Sequence, residues 1–211
     1  MNCRATEKVI NMKEKIKQYL VDFLKFFIIA AVAVLLIFLM SFMPKTELMG
    51  TTLAHFLNAV VTVTAVITCT AVTGKMFGAA LLSFGLPVLT YFFIGLFSPI
   101  FIAPHIFANF MMVFFYNILG KKKKNHIHRG ISYLVAGLVR FGFIFIFSKV
   151  GEKFIEYIMI FKNVTDEAGL SQAVNDMLVD SYNGQLVATI LGLLVSYGVA
   201  MLFISLSKKK V

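Results

Sequence analysis

Charges divide this chain into long apolar stretches. Residues 26–44, 48–74, 76–120 and 181–207 hold no Asp, Glu, Lys or Arg, and 130–148 is interrupted only by Arg140. A membrane-spanning helix needs about 20 apolar residues, each advancing the axis by ~1.5 Å. The 76–120 stretch is too long for one such helix, because it would measure about 68 Å, over twice the hydrocarbon thickness. Ser98-Pro99 and Ala103-Pro104 lie in its middle. Proline cannot donate to the helix ladder, and it disfavours helical backbone in the residue before it. The pattern predicts two helices there joined by a short turn. It gives six spans in all, near 24–43, 52–73, 77–96, 104–119, 131–149 and 184–206.

Composition sharpens the picture. The 211 residues are 59% hydrophobic and 14% charged, with 23 Phe, against roughly 45–50% and 25% in soluble domains. Such a chain cannot cover a water-facing surface, which excludes a soluble enzyme and a disordered chain. Two cysteines, Cys3 and Cys69, exclude a disulfide scaffold. The expected fold is an all-α polytopic membrane protein, a six-helix transmembrane bundle in the cell membrane with the lipid bilayer as its solvent.

The net charge of +10 is read as topology. With the N-terminus inside, 15 basic residues fall on inner segments and four (Lys45, Lys149, Lys153 and Lys162) on outer ones. Basic residues collect on cytoplasmic loops, so both termini are expected in the cytoplasm. Residues 1–22 mix Arg4, Lys8, Lys13, Lys15 and Lys17 with Val9, Ile10, Met12, Ile16, Tyr19 and Leu20. That is a basic amphipathic segment suited to an anionic leaflet. Residues 23–207 form the six-span domain, and 208–211 form a basic cytoplasmic tail. The longest outer segment, 150–183, is expected to be a loop or a lid over the outer mouth.

Chemistry is conspicuous by its missing motifs. There is no G-x-x-x-x-G-K-[ST], no H-E-x-x-H and no G-x-S-x-G. No acidic residue falls inside a predicted span, which argues against proton antiport and intramembrane aspartyl hydrolysis. His126 and His128, in the run KKKKNHIHR, supply only two ligands and make a weak metal site. That run reads as a topology loop rather than a nucleic-acid contact. No cofactor, metal or catalytic residue is expected. A nucleophile–base pair of Cys69 and His55 would need a break in their helix, because fourteen residues separate them by about 21 Å.

Polar groups inside the spans are costly and usually face the bundle interior. Arg140 lies near mid-depth of the fifth span, with no carboxylate partner at that depth. Asn58 lies two turns into the second span, and His105 and Asn109 share one face of the fourth. Tyr182 and Gln185 open the sixth. These groups converge on the outer half and would suit a small polar molecule, with Arg140 favouring an anionic group. Each amide could instead bond a neighbouring helix, and Arg140 could bond backbone carbonyls. The pair Gly192-x-x-x-Ser196 and the glycines Gly78, Gly85, Gly95 and Gly198 would permit close helix packing.

Several strings carry a resemblance. Leu57-Asn58-Ala59 opens the second span, GAALLSFGLP (78–87) enters the third, and Phe97-Ser98-Pro99 to Pro104 leads to Ala108-Asn109. Ala136-Gly137-Leu138-Val139-Arg140-Phe141 lies in the fifth, and Tyr182-Asn183-Gly184-Gln185-Leu186-Val187 begins the sixth. Over about residues 20–207 the chain resembles the substrate-binding S components of energy-coupling factor (ECF) transporters. The resemblance implies capture of a micronutrient outside the cell, for uptake driven by a transmembrane coupling subunit and two cytosolic ATPases. The family's Ala-x-x-x-Ala docking pair on the first span is not matched, since Ala30, Ala31 and Ala33 face Val34, Leu35 and Ile37. A non-catalytic membrane scaffold and an unrelated six-helix permease remain the alternatives.

Overall fold

The computed structural model describes residues 3–43, 46–48, 51–94, 99–120, 126–161 and 181–208. Helix α1 spans Cys3–Met40. A small antiparallel hairpin follows, β1 (Glu47–Leu48) and β2 (Thr51–Thr52), with Glu47 opposite Thr52 and Leu48 opposite Thr51. Then come α2 (Leu53–Thr73), α3 (Met76–Ile94), α4 (Pro99–Gly120), α5 (His126–Phe161) and α6 (Ser181–Lys208). Each of the six helices contains a stretch long and apolar enough to cross a membrane, from Met12–Met40 to Gly184–Phe203.

Helix α2 is the axis of the bundle and packs on α1, α3, α4 and α6. Its apolar stretch is 61% buried, whereas that of α1 is 17% buried. The reason lies in its side chains, which are small or β-branched on every face: Ala59, Val63, Ala65, Val66, Ile67 and Cys69 are all buried. The bulky residues sit on the outside. Phe77, Phe92, Leu134, Leu138, Leu194 and Leu202 are each more than 60% exposed. That inversion suits a hydrocarbon solvent, where an exposed Phe costs nothing and close contact is built from small residues.

Local chemistry sets the ends of α2. Thr52 caps its N-terminus, its Oγ1 accepting from the His55 N–H at 3.3 Å. Gly74 ends it at φ 66°, donating its N–H to the Thr70 carbonyl at 2.9 Å. A left-handed backbone there favours glycine, and it lets the chain reverse into α3 within two residues.

Three boundaries differ from expectation. The basic N-terminal segment is not separate, since α1 continues from Cys3 to Met40 without a break. No Gly or Pro interrupts those 38 residues, and Lys, Glu, Met and Leu are good helix formers in either solvent. Helix α4 begins at Pro99 and carries Pro104 inside it. Pro99 opens the helix, where its missing N–H costs nothing, and Pro104 forfeits one bond near the start. Helix α5 runs on to Phe161, through the first third of the expected loop or lid. The rest of that segment, 162–180, lies outside the described residues.

The inner end of α1 is fastened by a carboxylate. Asp22 is 6% exposed, at the border between the charged first turns of α1 and its apolar run. Its Oδ2 meets Lys75 Nζ at 2.8 Å and its Oδ1 meets Lys25 Nζ at 3.8 Å. Lys75 also lies 3.9 Å over the Tyr19 ring. The α2–α3 turn and the first span are thereby held at one depth.

Candidate functional site

Five helices meet around a polar cavity in the half of the bundle where α2 begins and α3 ends. Asn58 and His55 come from α2, Thr90 and Tyr91 from α3, His105 and Asn109 from α4, Arg140 from α5 and Gln185 from α6. The open space among them is about 20 Å³, enough for a water molecule and well below the 300–1,000 Å³ typical of ligand sites.

Arg140 is the centre of this arrangement and is 1% exposed. Its Nε donates to Asn109 Oδ1 at 2.9 Å and its Nη2 to Gln185 Oε1 at 3.3 Å. Its Nη1 donates to Thr189 Oγ1, and the Thr189 hydroxyl donates in turn to the Gln185 backbone carbonyl at 2.7 Å. One guanidinium thus joins α4, α5 and α6. Every acceptor is neutral, and among the described residues no carboxylate pairs with it. A guanidinium has five N–H donors in a fixed fork, so three oxygens leave its charge uncompensated and part of its donor capacity unused.

The neighbouring polar atoms are unpaired. Asn58 is fully buried, yet neither Oδ1 nor Nδ2 has a hydrogen-bond partner. Asn109 Nδ2 and Thr90 Oγ1 are in the same condition. A buried polar atom left unsatisfied costs about 1–3 kcal/mol. Four such atoms lie in one small volume, and together with Arg140 they present donors and acceptors to whatever fills the cavity.

Above the amides stand three rings. His55, Tyr91 and His105 lie with centroids 5.4, 5.6 and 6.1 Å apart. Each comes from near the helix end on that side of the bundle, so the rings cover the cavity. Two imidazoles without further His, Cys, Asp or Glu do not make a metal site, and no group of three such residues occurs among the described residues.

A second polar layer lies two turns further along the bundle, about 10.5 Å away. It repeats the first at seven-residue spacing on three helices: Tyr116 follows Asn109, Tyr133 precedes Arg140 and Ser196 follows Thr189. Thr68 Oγ1 donates to Ser196 Oγ at 3.0 Å, and Ser196 donates to Tyr133 Oη at 3.5 Å. Tyr116 and Tyr133 meet edge to face at 5.1 Å. This layer is self-satisfied, and the contrast isolates the Arg140 layer as the one with unmet polarity.

Of the residues singled out in the sequence, Asn58, His105, Asn109, Arg140 and Gln185 surround the one cavity. Tyr182 lies in the first turn of α6, and its side chain is outside the described residues. His55, Thr90, Tyr91 and Thr189 join the site from the structure. Thr90 and Tyr91 sit one turn beyond Pro87, and neither stands out in an apolar run. His55 and Cys69 lie on one unbroken helix, which removes them as a catalytic pair. No family model matches the chain, and neither a curated protein nor a solved structure is similar to it.

Proposed function

We propose that this protein is the substrate-capture subunit of an ECF-type importer, binding a small polar, anionic micronutrient from outside the cell for ATP-driven uptake by partner subunits. The observation that carries the reading is the cavity around Arg140: a buried cation without a carboxylate, ringed by the unpaired polar atoms of Asn58, Asn109 and Thr90. An anion would satisfy both deficits together. The basic residues support the direction of capture. Lys75, between α2 and α3, and Arg129, in the first turn of α5, lie at the end of the bundle opposite the cavity, and by the charge rule that end is cytoplasmic, with both termini. The cavity then opens towards the outside of the cell membrane. Chemical energy would come from the coupling subunit and its two ATPases, since the chain carries no nucleotide motif. Because the space is small, capture requires His55, Tyr91 and His105 to part and the ligand to displace water.

The test is native mass spectrometry of the full chain, extracted from its host's own membranes and cytosol, beside Asn58→Ala. The Asn58 amide has no protein partner, so its loss should leave folding intact while stripping the ligand. A bound small anion at about one per chain, lost in the variant, together with a co-purifying ATPase, is the expected result. A protein that carries no small molecule and pulls down no ATPase would overturn the reading in favour of a scaffold or an unrelated permease.

A further inference from the structure

A groove runs along the lipid-facing side of α2, between α1 and α6, with a volume of about 380 Å³. Ile28, Val32 and Leu36 form one wall, Val199 and Phe203 the other, and Ala65 lies in the floor. The two hydroxyls in the floor are already committed. Thr64 Oγ1 donates to the Gly192 carbonyl at 3.1 Å, and Thr68 Oγ1 donates to Ser196. The groove therefore offers dispersion contacts and no unmet polar group, the opposite of the Arg140 cavity.

Its length and its charged end point to one occupant. The α1 wall follows the register 28, 29, 32, 33 and 36, and the same face one turn earlier is Lys25. From Lys25 to Leu36 the helix axis advances about 16 Å, close to half of a ~30 Å hydrocarbon core. A partner helix crossing the membrane would need twice that length; an acyl chain of one leaflet would not. At the Lys25 end two ammonium groups, Lys25 and Lys75, share the one carboxylate of Asp22, which leaves a positive charge unbalanced there.

We propose that this groove is a binding site for an anionic phospholipid, with one acyl chain lying along α2 between α1 and α6 and the headgroup against Lys25. The site is independent of the Arg140 cavity and of what that cavity binds.

The experiment is native mass spectrometry of the full chain in detergent, equilibrated with phosphatidylglycerol or with phosphatidylcholine of the same acyl chains. The wild type is expected to keep one phosphatidylglycerol, preferred over phosphatidylcholine by about fivefold, as one basic residue at a membrane surface implies. Val32→Trp fills the groove from an exposed wall position (52% exposed) and should reduce retention of both lipids. Lys25→Gln leaves Asp22 balanced by Lys75 and should abolish the preference while the chain still binds. If Val32→Trp folds poorly, Val195→Trp fills the groove from the opposite wall, where Val195 is 48% exposed. Equal retention of the two lipids by the wild type would sink the proposal. So would unchanged retention in the folded Trp variant, or a dimer that buries the groove.

Discussion

Arg140 on α5 donates through Nε to Asn109 Oδ1 on α4 at 2.9 Å, and this bond both builds the site and leaves it incomplete. It turns the Asn109 amide so that its oxygen faces the cation and its Nδ2 is left without a partner. A charged side chain at mid-depth costs about 2.5–3.5 kcal/mol on an insertion scale, while hydrogen bonds to charged groups return about 1.5–3 kcal/mol each. Three neutral acceptors therefore hold Arg140 in the folded bundle, while its charge stays without a counterion among the described residues.

Arg140→Ala is expected to do more than weaken ligand binding. It strands Asn109 Oδ1 on α4 and Thr189 and Gln185 Oε1 on α6, so a loss of about 2–4 kcal/mol is anticipated, the cost of breaking a buried polar network. Arg140→Lys keeps the charge but cannot reach three acceptors in the same geometry, and it should fall between the two. Thermal melts in one detergent, run for all three proteins, check the order; a variant as stable as wild type would deny Arg140 its structural role.

Asn58→Ala should behave in the opposite way. Removing two unpaired polar atoms from a buried site is expected to leave stability unchanged or raise it by up to about 1–2 kcal/mol, read as an equal or higher melting temperature. A clear destabilisation would mean that the amide has partners in the folded protein.

At Gly192 the α6 backbone packs tightly against α2. A Cβ there would come 2.8 Å from Val63 Cβ and 3.0 Å from the Val60 carbonyl oxygen. Gly192→Ala should cost about 1–3 kcal/mol by overpacking. Gly85, with nothing within 4 Å of such a Cβ, should accept Ala without loss. The two melts measured together separate packing from helix propensity.

Asp22→Asn should lower stability modestly, by about 1 kcal/mol or less, because Lys75 and Lys25 are partly exposed to solvent. The effect is expected to shrink as salt rises. Melting temperatures at low and high ionic strength test this, and a salt-independent difference would point to packing rather than charge.

Tyr91→Ala opens the ring cover beside His55 and His105 and should speed release of the co-purified molecule without changing the polar contacts below. Dissociation followed by dilution and filtration reports it. A release rate equal to that of wild type would show that the rings do not gate the cavity.

The sequence by itself determined the class and the number of membrane-length helices, and it singled out five of the polar residues that surround the Arg140 cavity. Hydrocarbon admits only helices and closed barrels, whose backbone groups are all bonded internally, so charge-free stretches of helical length point to helices, and a lone Arg140 among them is conspicuous. Continuity was less legible. Charges at Lys13, Lys15 and Lys17 end a membrane span but not a helix, so α1 and α5 extend past the boundaries that polarity draws. Partners were not legible at all. Asn58 and Asn109 read alike in sequence, as do Thr68 and Thr90; which of them is satisfied depends on what the facing helix presents at that depth. Thr189 meets a guanidinium, Thr68 meets Ser196, and Asn58 meets nothing. Only the rotation and crossing of the packed helices decided that, because hydrogen bonds are fixed to within an ångström while a hydrophobic pattern fixes a face.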